Sequence, residues 1–239
     1  MEDEIDRFVA RWEDSGGAER ANYALFLTEL CDLIGVPRPE PARDDGRTDY
    51  RFEYPVTFRN PDGSGSLGRI DLYKRDCFVL EAKQSTNRKL EEQLPLFGAG
   101  EAAGAKGGGA VRGSERWAMA MQRARAQAEN YAKALPTAHG WPPFLVVVDV
   151  GHEIQLFADF SRSGKNYSQF PDAQRFRIRL SDLRDERVRT LLRSVWTEPM
   201  TLDPSRRSAR VPRRSPTTWR IWPGAWSSAP AARSAWRTS

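Results

Sequence analysis

Asp71 and the tripeptide Glu81–Ala82–Lys83 are the residues of this chain whose types and spacing best suit chemistry. Asp71 lies within Ile70–Asp71–Leu72–Tyr73, and Glu81–Ala82–Lys83 closes the apolar run Cys77–Phe78–Val79–Leu80. The charged link Lys74–Arg75–Asp76 joins them, so the stretch reads as two short strands of a hairpin. Side-chain alternation puts Glu81 and Lys83 on one face and Ala82 on the other, while the turn folds Asp71 back toward them. Two carboxylates supply the hard oxygens that Mg²⁺ prefers, and an ammonium beside them could orient an attacking water. The alternative is an edge hairpin with solvated charges. A charge set among apolar strand residues, however, wants a partner or a metal.

A second constellation sits on a later helix. Ser114 caps a segment in which Trp117, Met121, Ala124, Ala128 and Tyr131 form one apolar stripe. Gln127 and Tyr131 are one turn apart on a shared face. They are either a surface glutamine and a core tyrosine, or a pair that hydrogen-bonds the site or a phosphate. His152, beside Gly151, has no Ser or Cys partner in view and reads as a turn histidine rather than a general base.

The elements that must carry these residues follow from periodicity. Ile5, Phe8, Val9 and Trp12 have helical spacing, ended at Ser15–Gly16–Gly17. A second helix is expected over 18–34, with Ala21, Leu25, Leu27, Leu30 and Ile34 as its apolar positions and Gly35 and Pro37 after it. Its Glu19 and Glu29 read as solvated charges, Glu29 being the one with a conceivable secondary metal role. Phe52–Phe58 alternates as a strand, and 60–63 turns it into the hairpin. Gly98–Gly113 has linker composition. Phe144–Val148 suits a strand buried on both faces, with further strands at 154–160 and 176–180 and a final helix capped by Ser181.

Composition bounds the partners. The net charge is +5, but from Pro204 onward eight arginines are the only charged residues, which leaves Met1–Asp203 at −3. The basic character therefore belongs to the tail, and overall charge says little about what the body binds. Cys31 and Cys77 lack metal-ligand spacing and fit small buried side chains in a reducing compartment. With no signal-peptide pattern and no apolar run of membrane length, the expectation is a cytoplasmic protein that does not enter the membrane.

GRIDLYKRDCFVLEAKQS, the later QAENYA, the run HGWPPFLVVVDVGHEIQLFADFSRSGKNYSQFPD and TEPMTLDPSRRSARV together resemble the N-terminal region of MmeI-type restriction–modification enzymes. These fuse a nuclease, a helical spacer, an adenine-specific DNA methyltransferase and a target-recognition domain. The resemblance spans about Glu2 to Val211. It implies an α/β fold of PD-(D/E)xK type, restriction-endonuclease-like, with a mixed sheet flanked by helices. It further implies that Asp71, Glu81 and Lys83 are the catalytic residues, with Asp71 and Glu81 holding Mg²⁺. Gln127 and Tyr131 match the accessory Gln-x-x-x-Tyr motif of the RecB-like branch. The substrate implied is double-stranded DNA. Nothing in the chain resembles the methyltransferase, its cofactor-binding motif or the recognition domain.

The organisation expected is a nuclease domain over 1–180, the start of a truncated helical spacer over 181–211 and a disordered tail over 212–239. Trp219, Trp222, Trp226 and Trp236 crowd that tail without a packing period. Either this is a natural disordered basic tail that binds nucleic acid, or a single-base frame change accounts for them, because a shifted TGG codon contributes to an NTG codon, which encodes only Leu, Met or Val. Ser215 likewise becomes apolar, and positions 215, 219, 222 and 226 then form a helical stripe. The functional expectation is a Mg²⁺-dependent DNA endonuclease domain. The alternative is a catalytically idle fragment or a weak, non-specific DNA-binding module.

Overall fold

The computed structural model describes residues 2–13, 15, 19–42, 49–59, 63–85 and 110–209. The tail from 212 onward, and most of the linker-like stretch 98–113, lie outside the described residues. In chain order the elements are helices α1 (Glu2–Glu13) and α2 (Glu19–Ile34) and strands β1 (Tyr50–Arg59), β2 (Gly65–Lys74) and β3 (Phe78–Lys83). Helix α3 (Glu115–Ala134) leads to β4 (Phe144–Asp149), β5 (Glu153–Ala158), β6 (Ser168–Gln169) and β7 (Arg177–Arg179), and helices α4 (Glu186–Thr197) and α5 (Pro204–Ala209) follow.

These strands form one mixed sheet in the order β1-β2-β3-β4-β5-β6, with β7 also pairing β5. Only β3 and β4 run parallel; α3 lies in the connection between them. Every residue of β4 is buried, because helices cover both faces of the sheet there. On one face α1, α2 and α4 pack through Ile5, Phe8, Phe26, Leu30, Leu192 and Trp196 onto Phe78, Leu80, Phe144 and Val146. On the other, α3 lays Trp117, Met121, Ala124, Ala128 and Tyr131 against Val79, Leu145 and Val147. The segment read as the start of a spacer thus contributes Leu183, Leu192, Val195 and Trp196 to the first of these cores.

The helical stripes fall where the apolar spacing puts them, with local exceptions. In α2 Leu27, Leu30 and Ile34 are fully buried as the spacing predicts, but Leu25 is 45% exposed and Phe26 takes its place in the core. Ser181 does not cap the last long helix. Leu180–Arg184 is a 3₁₀ turn, and the Asp185 side chain accepts from the Arg187 amide to start α4. Glu29 is a tie between helices: its carboxylate accepts from Trp12 Nε1 at 2.7 Å and faces Arg11 at 3.2 Å.

Where β3 and β4 end, a buried clasp closes the α3 side. Asp149, fully buried, accepts from the Ser85 amide at 3.0 Å and from Trp117 Nε1 at 2.8 Å. The Arg112 guanidinium faces it at 3.5 Å and also donates to the Val150 carbonyl at 2.8 Å. One carboxylate therefore anchors the chain leaving β3, the chain entering α3 and the first turn of α3. Asp149→Ala leaves these donors buried and uncompensated, and stability should fall by about 3–5 kcal/mol. Urea denaturation followed by tryptophan fluorescence checks this.

Candidate active site

A fork in the sheet makes the site. Strand β2 pairs with β3 only over Leu72↔Leu80, Tyr73↔Val79 and Lys74↔Phe78. Beyond that, β3 continues with β4 as far as Lys83↔Asp149, while β2 continues with β1 out to Gly65↔Arg59. Asp71 is the first β2 residue past the last shared pair. The Phe144 amide donates to Cys77 and the Val150 amide to Lys83, so odd-numbered residues of β3 face β4 with their backbone. Ala82, of opposite parity, presents its N–H and C=O toward β2, where no strand partner remains. The Asp71 carboxylate fills that role, with Oδ2 accepting from the Ala82 amide at 2.7 Å.

The bend behind the fork lies at Glu53, which stands opposite Asp71 in the β1–β2 register and has φ of 51°. Phe52↔Leu72 and Tyr54↔Ile70 pair on either side of it, so no residue is inserted. Yet Tyr50, Phe52 and Leu72 belong to the core under α1 and α2, whereas Tyr54, Val56 and Ile70 belong to the core under α3. A left-handed residue within a strand reverses the alternation of faces, and the outer half of the β1–β2 arm swings over α3.

The two wings of the fork enclose a cleft of about 440 Å³ lined by Asp71, Glu81, Lys83, Gln127 and Tyr131. The structure thus brings all five sequence-singled residues to one place. Glu81 is 1% exposed, and its Oε1 accepts from Lys83 Nζ at 2.7 Å. Ala82 is buried on the opposite face, as alternation requires. Gln127 Nε2 donates to Tyr131 Oη at 3.0 Å. Burial, with the Glu81 and Asp71 carboxylates adding to it, pushes the Tyr131 phenol above its ordinary value, opposed by hydrogen bonds from Gln127 and the Arg69 backbone. Tyr131 therefore stays a neutral phenol.

Tyr23, Glu53 and Arg69 also line the cleft, with Leu67 and Gly68, and sequence reading missed them. Tyr23 donates its hydroxyl to Glu53, and Arg69 lies 3.9 Å from the same carboxylate. Only the register places Glu53 beside Asp71, so the pairing of the hairpin strands was the available signal. His152 packs edge-on to Trp117 in the turn after β4, and burial and the nearby Arg112 lower its pKa. It does not line the cleft.

Among the described residues no group of three or more His, Cys, Asp or Glu is arranged to hold a metal ion. Of the three carboxylates that line the cleft, Glu53 is engaged by Tyr23 and Arg69; Asp71 and Glu81 form the candidate donor set, with the Ala82 carbonyl turned to the same side. This set suits Mg²⁺, which keeps several waters and needs only one or two carboxylates. It lacks the His and Cys ligands on which most Zn²⁺ sites are built.

Gly68 fixes the roof. A Cβ there would come within 2.6 Å of Phe58 and 2.8 Å of Tyr131, whose rings stack with centroids 5.7 Å apart. Gly68→Ala should cost about 1–3 kcal/mol by overpacking and push the Tyr131 ring from its place over β2. Thermal denaturation and the near-ultraviolet tyrosine signal report both effects.

No helix among the described residues is long and apolar enough to cross a membrane. Neither the curated proteins nor the solved structures contain a match to the chain. A family model described as the MmeI N-terminal domain matches residues 2–210, which include the fork, the cleft and both helical layers. The chain belongs to the MmeI N-terminal domain family.

Proposed function

We propose that this chain is a PD-(D/E)xK nuclease domain that hydrolyses phosphodiester bonds of double-stranded DNA with Mg²⁺. The observation that carries this reading is the meeting of Asp71, Glu81 and Lys83 at the fork, with Gln127 and Tyr131 closing the same cleft. Family membership supports a restriction-enzyme setting. Asp71 and Glu81 are the residues that would hold Mg²⁺, and the Ala82 carbonyl is the third protein oxygen on that side. Bound there, Mg²⁺ supplies Lewis-acid polarisation of the scissile phosphate and lowers the pKa of a coordinated water.

The remaining work falls to side chains. The Lys83 ammonium orients the attacking water, whose proton passes to solvent, and offsets the charge that gathers on the phosphoryl oxygens. Its bond to Glu81 Oε1, at 2.7 Å, fixes where that charge is held. The neutral Tyr131 hydroxyl and the Gln127 amide donate to phosphate oxygens and set the strand against Lys83.

Plasmid nicking with Mg²⁺ tests this reading in wild type, Asp71→Ala and Lys83→Ala. Asp71→Ala should be inactive and should also lose the rise in Tm that Mg²⁺ produces by binding the folded state. Lys83→Ala should lose about 10²–10³-fold in nicking rate, the usual cost of one charge-stabilising donor, while keeping that rise in Tm. Its ammonium competes with a cation for Glu81 rather than helping to bind one. Equal nicking by all three proteins would overturn the assignment.

A further inference from the structure

A groove of about 1130 Å³ adjoins the cleft, between the outer half of β1 and the exposed side of α3. Gln127 and Tyr131 line both, so the two spaces are continuous. Thr57 and Arg59 come from alternate positions of β1; Arg123, Gln127, Asn130 and Lys133 form one stripe of α3, bordering the stripe buried against the sheet at Tyr131. The electrostatics of the two spaces differ in sign. Glu53, Asp71 and Glu81 line the cleft, whereas no acidic residue lines the groove. Lys133 is paired with Glu129 at 2.8 Å, but Arg59 and Arg123 are exposed and make no ion pair among the described residues. Arg38, Arg162, Arg175 and Arg184 are each matched by an aspartate, and the exposed Arg116 and Arg179, which make no ion pair among the described residues, line neither space.

We propose that this groove seats the phosphate backbone of duplex DNA flanking the bond held in the cleft, with Arg59 and Arg123 as its phosphate contacts. The inference rests on the nuclease reading and extends it to the substrate's path. A polyanion is the occupant that fits: unmatched guanidiniums sit beside uncharged hydrogen-bonding groups, Asn130 and Thr57, and lead without a break to the residues that would hold the scissile phosphate. Gln127 and Tyr131 stand at the junction, where one phosphate passes from the groove to the cleft.

Fluorescence anisotropy with a short labelled duplex, Ca²⁺ replacing Mg²⁺, tests this on the full chain. Arg59→Ala/Arg123→Ala should weaken binding about tenfold or more at moderate salt. The slope of log K against log[salt] should become shallower by about 2, as expected for two lost phosphate contacts, and the paired Arg→Lys variant should retain the wild-type slope. Binding by the arginines of the tail would be common to all these proteins. A second readout is local. Cys31 and Cys77 are buried, so a fluorophore on Asn130→Cys labels the groove selectively, and its emission should change on adding duplex. An unchanged affinity and slope, a silent label on a duplex-bound chain, or no duplex binding at low salt would each overturn the proposal. Failure of the nuclease reading looks different: Asp71→Ala would nick like wild type while groove substitutions still weakened binding.

Discussion

The geometry of the cleft depends on one amide. Ala82 sits where β2 has left β3, and its N–H would be orphaned in a half-buried setting if no side chain replaced the missing strand. Asp71 makes that bond at 2.7 Å and in doing so is fixed beside Glu81. Satisfying a buried backbone donor and positioning a carboxylate are the same event here. The two wings of the sheet can part only because this side chain takes over the ladder. The cleft they leave is the space in which Glu81, Lys83, Gln127 and Tyr131 meet.

The rest of the molecule braces that opening. Parallel pairing of β3 with β4, flanked by two helical layers, holds the inner wing rigid. The clasp on Asp149 secures the inner wing at its end, while Asn22 of α2 reaches Gln84 with a 3.3 Å hydrogen bond just beyond Lys83. The outer wing is held differently, by Phe58 stacked on Tyr131 and by Tyr54 against Tyr73. Aromatic contacts of this kind set an angle between elements while leaving the cleft itself polar.

Much of this was legible in the residues. Stripe spacing found α1 and α3, the continuous apolar run found β4, and alternation put Glu81 and Lys83 opposite Ala82. These signals survive because they are periodic, and a period of two or 3.6 needs no knowledge of the partner surface. The fork was not legible. It turns on a left-handed conformation at Glu53, a residue type with no local preference for it, imposed by the packing of the arm over α3. Tyr23 and Arg69 are likewise far from the motif in sequence and join it only through the folded arm. The face of α2 was misplaced at Leu25 because nearly every position from Tyr23 to Leu27 is apolar, leaving no polar positions to set the phase. Ser181 reads as the cap of the last long helix because a 3₁₀ turn and a helix start look alike in sequence.

The same bend has a further bearing on the free margin of the sheet. Strand β1 is terminal, and a long strand with an open row of amides and carbonyls invites a second molecule to add itself. Here the row is broken repeatedly. The Glu40 amide already occupies the Tyr50 carbonyl, Glu53 turns its backbone out of line, and Pro55 has no N–H to offer. Among the described residues the free edge of β1 is thus interrupted at three places, so the kink that opens the cleft also disfavours edge-to-edge pairing of a second chain along it.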